Sequence, residues 1–163
     1  MFFTVEKADR YITDLRPYIY EDRTKIEDFK HWPENAAGAH LPEFDDSQWN
    51  DFKVGGAWGG RDQTHWFRTT VTIPEEWRDA KVALYLAVGA GETGGLRGAE
   101  SLAYINGLPV QGLDVNHAEV LLLPEWMEAG EFHLAIKAFS GLQNETRWFY
   151  RAELVKINEA TED

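Results

Sequence analysis

The chain of 163 residues contains no cysteine. That absence excludes disulfide staples, a thiol nucleophile and thiolate-held metal. Long apolar runs are missing too, and no stretch approaches the ~20 residues an α-helix needs to cross a bilayer. Glu6, Lys7, Asp9 and Arg10 soon follow the apolar start at Met1-Phe2-Phe3, so the start does not read as a secretory signal, and a cytoplasmic location is expected. Positive charge is scarce: 16 Lys and Arg stand against 28 Asp and Glu, a net charge of −12. A field of that sign repels nucleic acid and anionic membranes, so neither is expected as a partner. Asn144-Glu145-Thr146 matches a glycosylation acceptor, which carries no weight without secretion.

Apolar residues make up 44% and aromatics 13%, including seven tryptophans. A chain of this length and composition can bury one sizeable core, so one domain is expected. Val5, Ala8, Tyr11, Ile12, Leu15 and Ile19 recur at helical spacing, with Thr4 as a cap and Pro17 as a limit. Ile26, Phe29 and Trp32 extend an apolar pattern of undecided type. Residues 33–49, "PENAAGAHLPEFDDSQW", read as a loop from their Pro, Gly, Asn and Asp content.

After Trp58 the period becomes two. Phe67, Thr69, Val71 and Ile73 share one strand face, with Trp66, Arg68, Thr70 and Thr72 opposite. Val82, Leu84, Leu86 and Val88 form the next strand. Leu102 and Tyr104 lead into Asn106-Gly107, a strong hairpin signal. Val120–Leu123, then Phe132, Leu134, Ile136 and Ala138, then about Phe149 to Ile157, complete the set. Short strands broken by turn residues, without intervening helices, predict an antiparallel β-sandwich.

Several motifs invite chemistry. Gly89 to Gly94 fits G-x-G-x-x-G, with Asp114 twenty residues on, but no helix follows, so a surface loop is expected. His31, His40, His65, His117 and His133 show no metal-ligand spacing on a helix. Asp114 to His117, "DVNH", is a compact polar group, better explained as a capped turn than as a catalytic pair. Adjacent carboxylates such as Asp45-Asp46 and Glu75-Glu76 read as solvated turns rather than glycosidase acids, which must face each other across a ligand. Nothing follows G-x-S-x-G. The aromatics leave two readings open. Trp58, Arg61, Asp62 and His65 could hold a sugar, whose C–H face packs on an indole while its hydroxyls bond polar neighbours. Alternatively Trp66, Phe67 and Trp77 fill the sandwich and Trp58 closes one end of it.

"FDDSQW" (Phe44 to Trp49), "VGGAWGGRDQTHWFRTTVTIPEEW" (Val54 to Trp77), "INGLPVQGLDVNHAEVLL" (Ile105 to Leu122) and "FHLAIKAFSG" (Phe132 to Gly141) occur in this order. Together they resemble the N-terminal domain of glycoside hydrolase family 38 α-mannosidases of the long bacterial and fungal vacuolar type. Parts of the pattern are shared more loosely with jelly-roll domains of family 2 β-galactosidases.

The resemblance implies a mainly β fold: a galactose-binding-like jelly-roll sandwich over 31–158, preceded by an N-terminal helical or extended segment at 1–30 that packs on it. Residues 159–163 would begin a linker to a larger catalytic domain absent from this chain. In that family a zinc ion and an aspartate nucleophile act there, in a retaining mechanism on terminal α-linked mannose. No catalytic residue, metal ligand or cofactor is therefore expected among these residues. The expected partners are the catalytic domain, a mannose-containing glycan and further copies of the full-length enzyme. The candidate carbohydrate- or partner-facing residues are Trp58, Arg61, Asp62, His65, Asp114, Asn116 and His117, on two loops expected to meet at one end.

Overall fold

A computed structural model describes residues 18–89, 99–114 and 116–161. The helical pattern expected between Thr4 and Pro17 lies outside these residues, as does the glycine run at 90–98. Among the described residues the chain forms β1 (Tyr20–Lys25), β2 (Asp28–Trp32), β3 (Asn50–Lys53), β4 (Ala57–Gly60), β5 (Thr64–Thr72) and β6 (Val82–Ala87). These are followed by β7 (Glu100–Ile105), β8 (Leu108–Leu113), β9 (Glu119–Leu121), helix α1 (Pro124–Ala129), β10 (Glu131–Phe139), β11 (Glu145–Trp148) and β12 (Arg151–Ile157).

Two antiparallel sheets make the sandwich. One has the order β1-β12-β6-β9 and the other β3-β2-β5-β10-β7-β8, while β4 and β11 form a separate two-stranded ribbon. The nine-residue strands β5 and β10 sit at the centre of the larger sheet, paired from Glu131 opposite Thr72 to Phe139 opposite Thr64. Their period-two alternation turns Phe67 and Val71, and Phe132, Leu134, Ile136 and Ala138, toward the smaller sheet. There they meet Val82, Leu84, Leu86 and Leu154, all 1% exposed or less. Removing these side chains from water is the main stabilising contribution.

The strands legible in the sequence are present, including the hairpin at Asn106 (φ 49°) and Gly107 (φ 82°), whose left-handed backbone matches the twist of β7 and β8. Other expectations change. The segment of undecided type around Phe29 is strand: β1 pairs with β12 and β2 with β5, so both sheets already contain residues before 31. Beyond Ile157, residues Glu159–Thr161 form a short 3-10 turn, and Asn158 N donates to Ile19 O at 2.8 Å. The strand expected at Val120–Leu123 is Glu119–Leu121, because Pro124 opens α1. That helix buries Trp126 and Met127 and ends at Gly130.

Trp66 does not lie between the sheets. It packs on the outer face of the larger sheet with Ala39, Trp49 and Ala135, under the loop of residues 33–49.

Candidate functional site

The strand pairings bring several loops to one end of the sandwich. Thr64 lies opposite Phe139, Phe139 opposite Glu100, and Ser101 opposite Leu113. Residues 58–63, 99–100, 113–114, 116–117 and 140–141 therefore share that end.

Trp58 and His65 belong to its interior, which corrects their reading as sugar-facing groups. Trp58 is 5% exposed, and its Nε1 donates to Val88 O at 2.6 Å. An indole N–H needs a partner when buried, and the carbonyl just past the end of β6 supplies it. The ribbon carrying Trp58 requires Gly59, at φ 129°, because a Cβ there would collide with Glu145 O on β11. His65 is 3% exposed, and its ring lies edge-on to Trp58 with centroids 5.0 Å apart.

The tautomers of the histidines follow from their partners. Gly59 O only accepts, so His65 Nε2 carries the proton and donates to it at 2.9 Å. His65 Nδ1 then accepts from His31 Nε2–H at 2.9 Å. Burial, and secondarily the neighbouring His65, pushes His31 down to about 4. Burial also lowers His65, opposed by its bond to Gly59.

Arg61, Asp62, Asp114, Asn116 and His117 are exposed. Asp62 occupies a left-handed turn (φ 53°) and its N–H donates to Gly141 O at 2.8 Å. Asp114 Oδ1 accepts from Asn116 N at 2.7 Å, His117 N at 2.9 Å and His117 Nδ1 at 2.8 Å. The Asn116 amide foremost, then the His117 ring, holds this carboxyl below the usual carboxylate range. The "DVNH" group is thus a self-capped turn. Its loop does not join the Arg61 loop, since β10 and β7 stand between β5 and β8. Three strand spacings separate them, about 14 Å, and no Arg61–Asp114 ion pair forms among the described residues.

Two groups of residues escaped the sequence reading. Arg68, 2% exposed, donates through Nε to Asp46 Oδ2 at 2.8 Å and through its Nη atoms to the carbonyls of Ala39, Leu41, Pro42 and Phe44. This one guanidinium holds the 33–49 loop to the sheet. Asp46 is therefore an ion-pair partner of a buried cation, whereas Asp45 remains a turn residue that accepts from Ser47 N at 3.0 Å. The available signal was an arginine on the outward face of a strand, beside tryptophan.

The second group lies where β12 begins on the smaller sheet. Tyr150 is 65% exposed beside a crevice of about 340 Å³ lined by Lys25, Glu27, Val54, Arg151 and Glu153. Glu153 Oε2 accepts from Arg151 Nη2 at 2.7 Å and faces Arg23 Nη1 at 3.6 Å. No sequence motif marks it.

Among the described residues no three His, Asp or Glu side chains are grouped to hold a metal ion. Nor is any described helix long and apolar enough to cross a membrane.

Comparison with known proteins agrees with the architecture. Residues 24–147 match the family described as alpha-mannosidase, jelly roll domain. No curated protein matches the chain. Among solved structures, a calcium-binding mutant of Bacteroides uniformis beta-glucuronidase 2 superposes with a TM-score of 0.62 at 18% identity, over 82% of this chain and 18% of that one. A glycosyl hydrolase family 2 member from Bacteroides cellulosilyticus gives 0.61 at 16% identity, over 83% and 20%. An uncultured Clostridium sp. beta-glucuronidase gives 0.61 at 12% identity, over 85% and 29%. At these identities the likeness is one of fold, and the chain spans less than a third of each of these structures. The family match covers most of the chain, including every strand of the larger sheet, and the protein belongs to the alpha-mannosidase jelly-roll domain family.

Proposed function

We propose that this chain serves as a non-catalytic accessory domain of an α-mannosidase, supporting assembly of the enzyme and shaping the rim of its active site. In this reading the parent polypeptide hydrolyses terminal α-linked mannose with retention and holds zinc in a separate catalytic domain. Family membership over residues 24–147 carries the reading. The loop-end geometry supports it: Trp58, His65 and the Asp114–His117 pair are engaged in holding their own loops, leaving Arg61 and Asp62 outward for contact with a neighbouring domain.

The fold shared with family 2 enzymes favours a second reading, a jelly-roll domain of a β-glycosidase. Both are tested on the full-length polypeptide. Activity on an aryl α-mannoside, and none on aryl β-glucuronide or β-galactoside, is expected, and the reverse selects the second reading. Deleting residues 18–161 should lower turnover and alter oligomeric mass. Unchanged stability, assembly and turnover would refute the accessory role.

A further inference from the structure

The crevice beside Tyr150 is unassigned by the reading above. Phe149 before it is wholly buried, and Tyr150 N donates to Ala87 O at 2.8 Å. The backbone is thus anchored to β6 while the ring stands 65% exposed. A rigidly presented tyrosine offers an apolar face at little entropic cost. The adjoining space of about 340 Å³ falls at the small end of the range for ligand pockets, about 300–1,000 Å³. Ile26, Val54 and Ala152 contribute apolar surface to it, and charged groups of both signs surround it: Lys25 and Arg151 against Glu27 and Glu153.

The polar partners are held in place. Glu153 is 8% exposed, and both arginines approach its Oε2. A carboxylate has about four acceptor positions, so Glu153 retains capacity on Oε1. The Arg151 guanidinium lies over the Tyr85 ring at 4.8 Å, which fixes its plane while it bonds Glu153. A fixed donor beside a fixed acceptor suits two neighbouring hydroxyl groups, one accepting from Arg151 and one donating to Glu153. The balance of charge disfavours an ionic ligand, and a concave site beside one aromatic ring is smaller than a protein interface requires.

We propose that this crevice binds one neutral hexopyranose ring, stacked by its C–H face on Tyr150 and hydrogen-bonded by adjacent hydroxyls to Arg151 and Glu153. The site is distinct from the loops of Arg61 and Asp114 and does not depend on the accessory role in assembly.

The test uses this 163-residue chain alone, so its outcome is separate from that of the domain deletion. Backbone amide shifts are followed by NMR during titration with mannose, α-mannobiose and galactose. Saturable shifts are expected at Lys25, Ile26, Arg151 and Ala152 with at least one sugar, with a Kd on the order of millimolar for so small a ligand. Tyr150→Ala and Arg151→Met should each weaken binding about tenfold or more, and Tyr150→Phe, which keeps the stacking face, should retain it. Three results would overturn the proposal: no saturable shift up to ~100 mM sugar, shifts confined to residues 58–62 and 114–117, or sugar binding unaltered by Tyr150→Ala. Were Tyr150→Ala instead to change only the mass of the chain in solution, Tyr150 would be a contact between protein surfaces and the proposal would likewise fail.

Discussion

On the outer face of the larger sheet, Arg68 is 2% exposed and every bond it makes turns inward, to Asp46 and to four carbonyls of one loop. At the loop end, seven residues earlier in the chain, Arg61 stands in solvent beside an aspartate that it does not pair with. The residue types are the same and their consequences are opposite. A cation removed from water must be fully partnered, so Arg68 organises everything around it. A cation in water costs little and organises nothing, which leaves it available for an external surface. Within this fold, burial separates architectural charge from charge that can act on a partner.

That contrast can be broken experimentally. Arg68→Met should have the largest effect, about 3–4 kcal/mol of stability in urea unfolding, because Asp46 and the loop carbonyls lose their common donor. A loss within about 0.5 kcal/mol, the scale of an ordinary surface substitution, would show that Trp49, Phe44 and Ala39 hold the loop by apolar packing alone.

The buried imidazoles come next. His31 and His133 are both pushed from 6.5 to about 4, His133 by burial first and then by the nearby Arg68 cation. The unfolded chain therefore binds protons between those values that the folded chain refuses. Stability is undiminished above pH 6.5 and falls as pH drops from 6.5 toward 4. Between pH 7 and 5 the two together should cost about 2 kcal/mol, allowing for partial solvent screening. A chain carrying His31→Gln and His133→Gln should lose most of that slope, and an unchanged slope would assign it elsewhere.

The smallest effect is expected at the exposed turn. Asp114→Ala should lower Tm by no more than about 2 °C, while shifting the amide resonances of Asn116 and His117. A large fall in Tm would mean that this turn carries structural weight comparable to Arg68.

Several elements were readable because their patterns are local. Alternation at Phe67, Val71 and Phe132, Leu134, Ile136 declares strands half-facing a core, and Asn106-Gly107 declares the turn between β7 and β8. The short strands β3, β4 and β11, four residues each, were not readable, because their alternation is too brief to stand out. Helix α1, six residues that follow the apolar run of residues 120–123, is too short to show a helical period. At the candidate site, the capped turn of Asp114 was legible from its Asp and Asn. For Trp58 the sequence left two readings open, and burial selects the one in which it closes an end of the sandwich. The interior position of His65 was not legible, since it depends on His31 in a distant segment of the chain.

By itself, then, the order of residues determined a cysteine-free, acidic, mainly β chain with two layers of strands and an aromatic core. Side-chain period and turn chemistry act over a few neighbours and need no knowledge of the rest. Only the tertiary structure decided which arginine lies under a loop, which histidines stay neutral and where a tyrosine is left standing in solvent. Those outcomes depend on desolvation, and desolvation is set by whichever distant segments fold over a side chain.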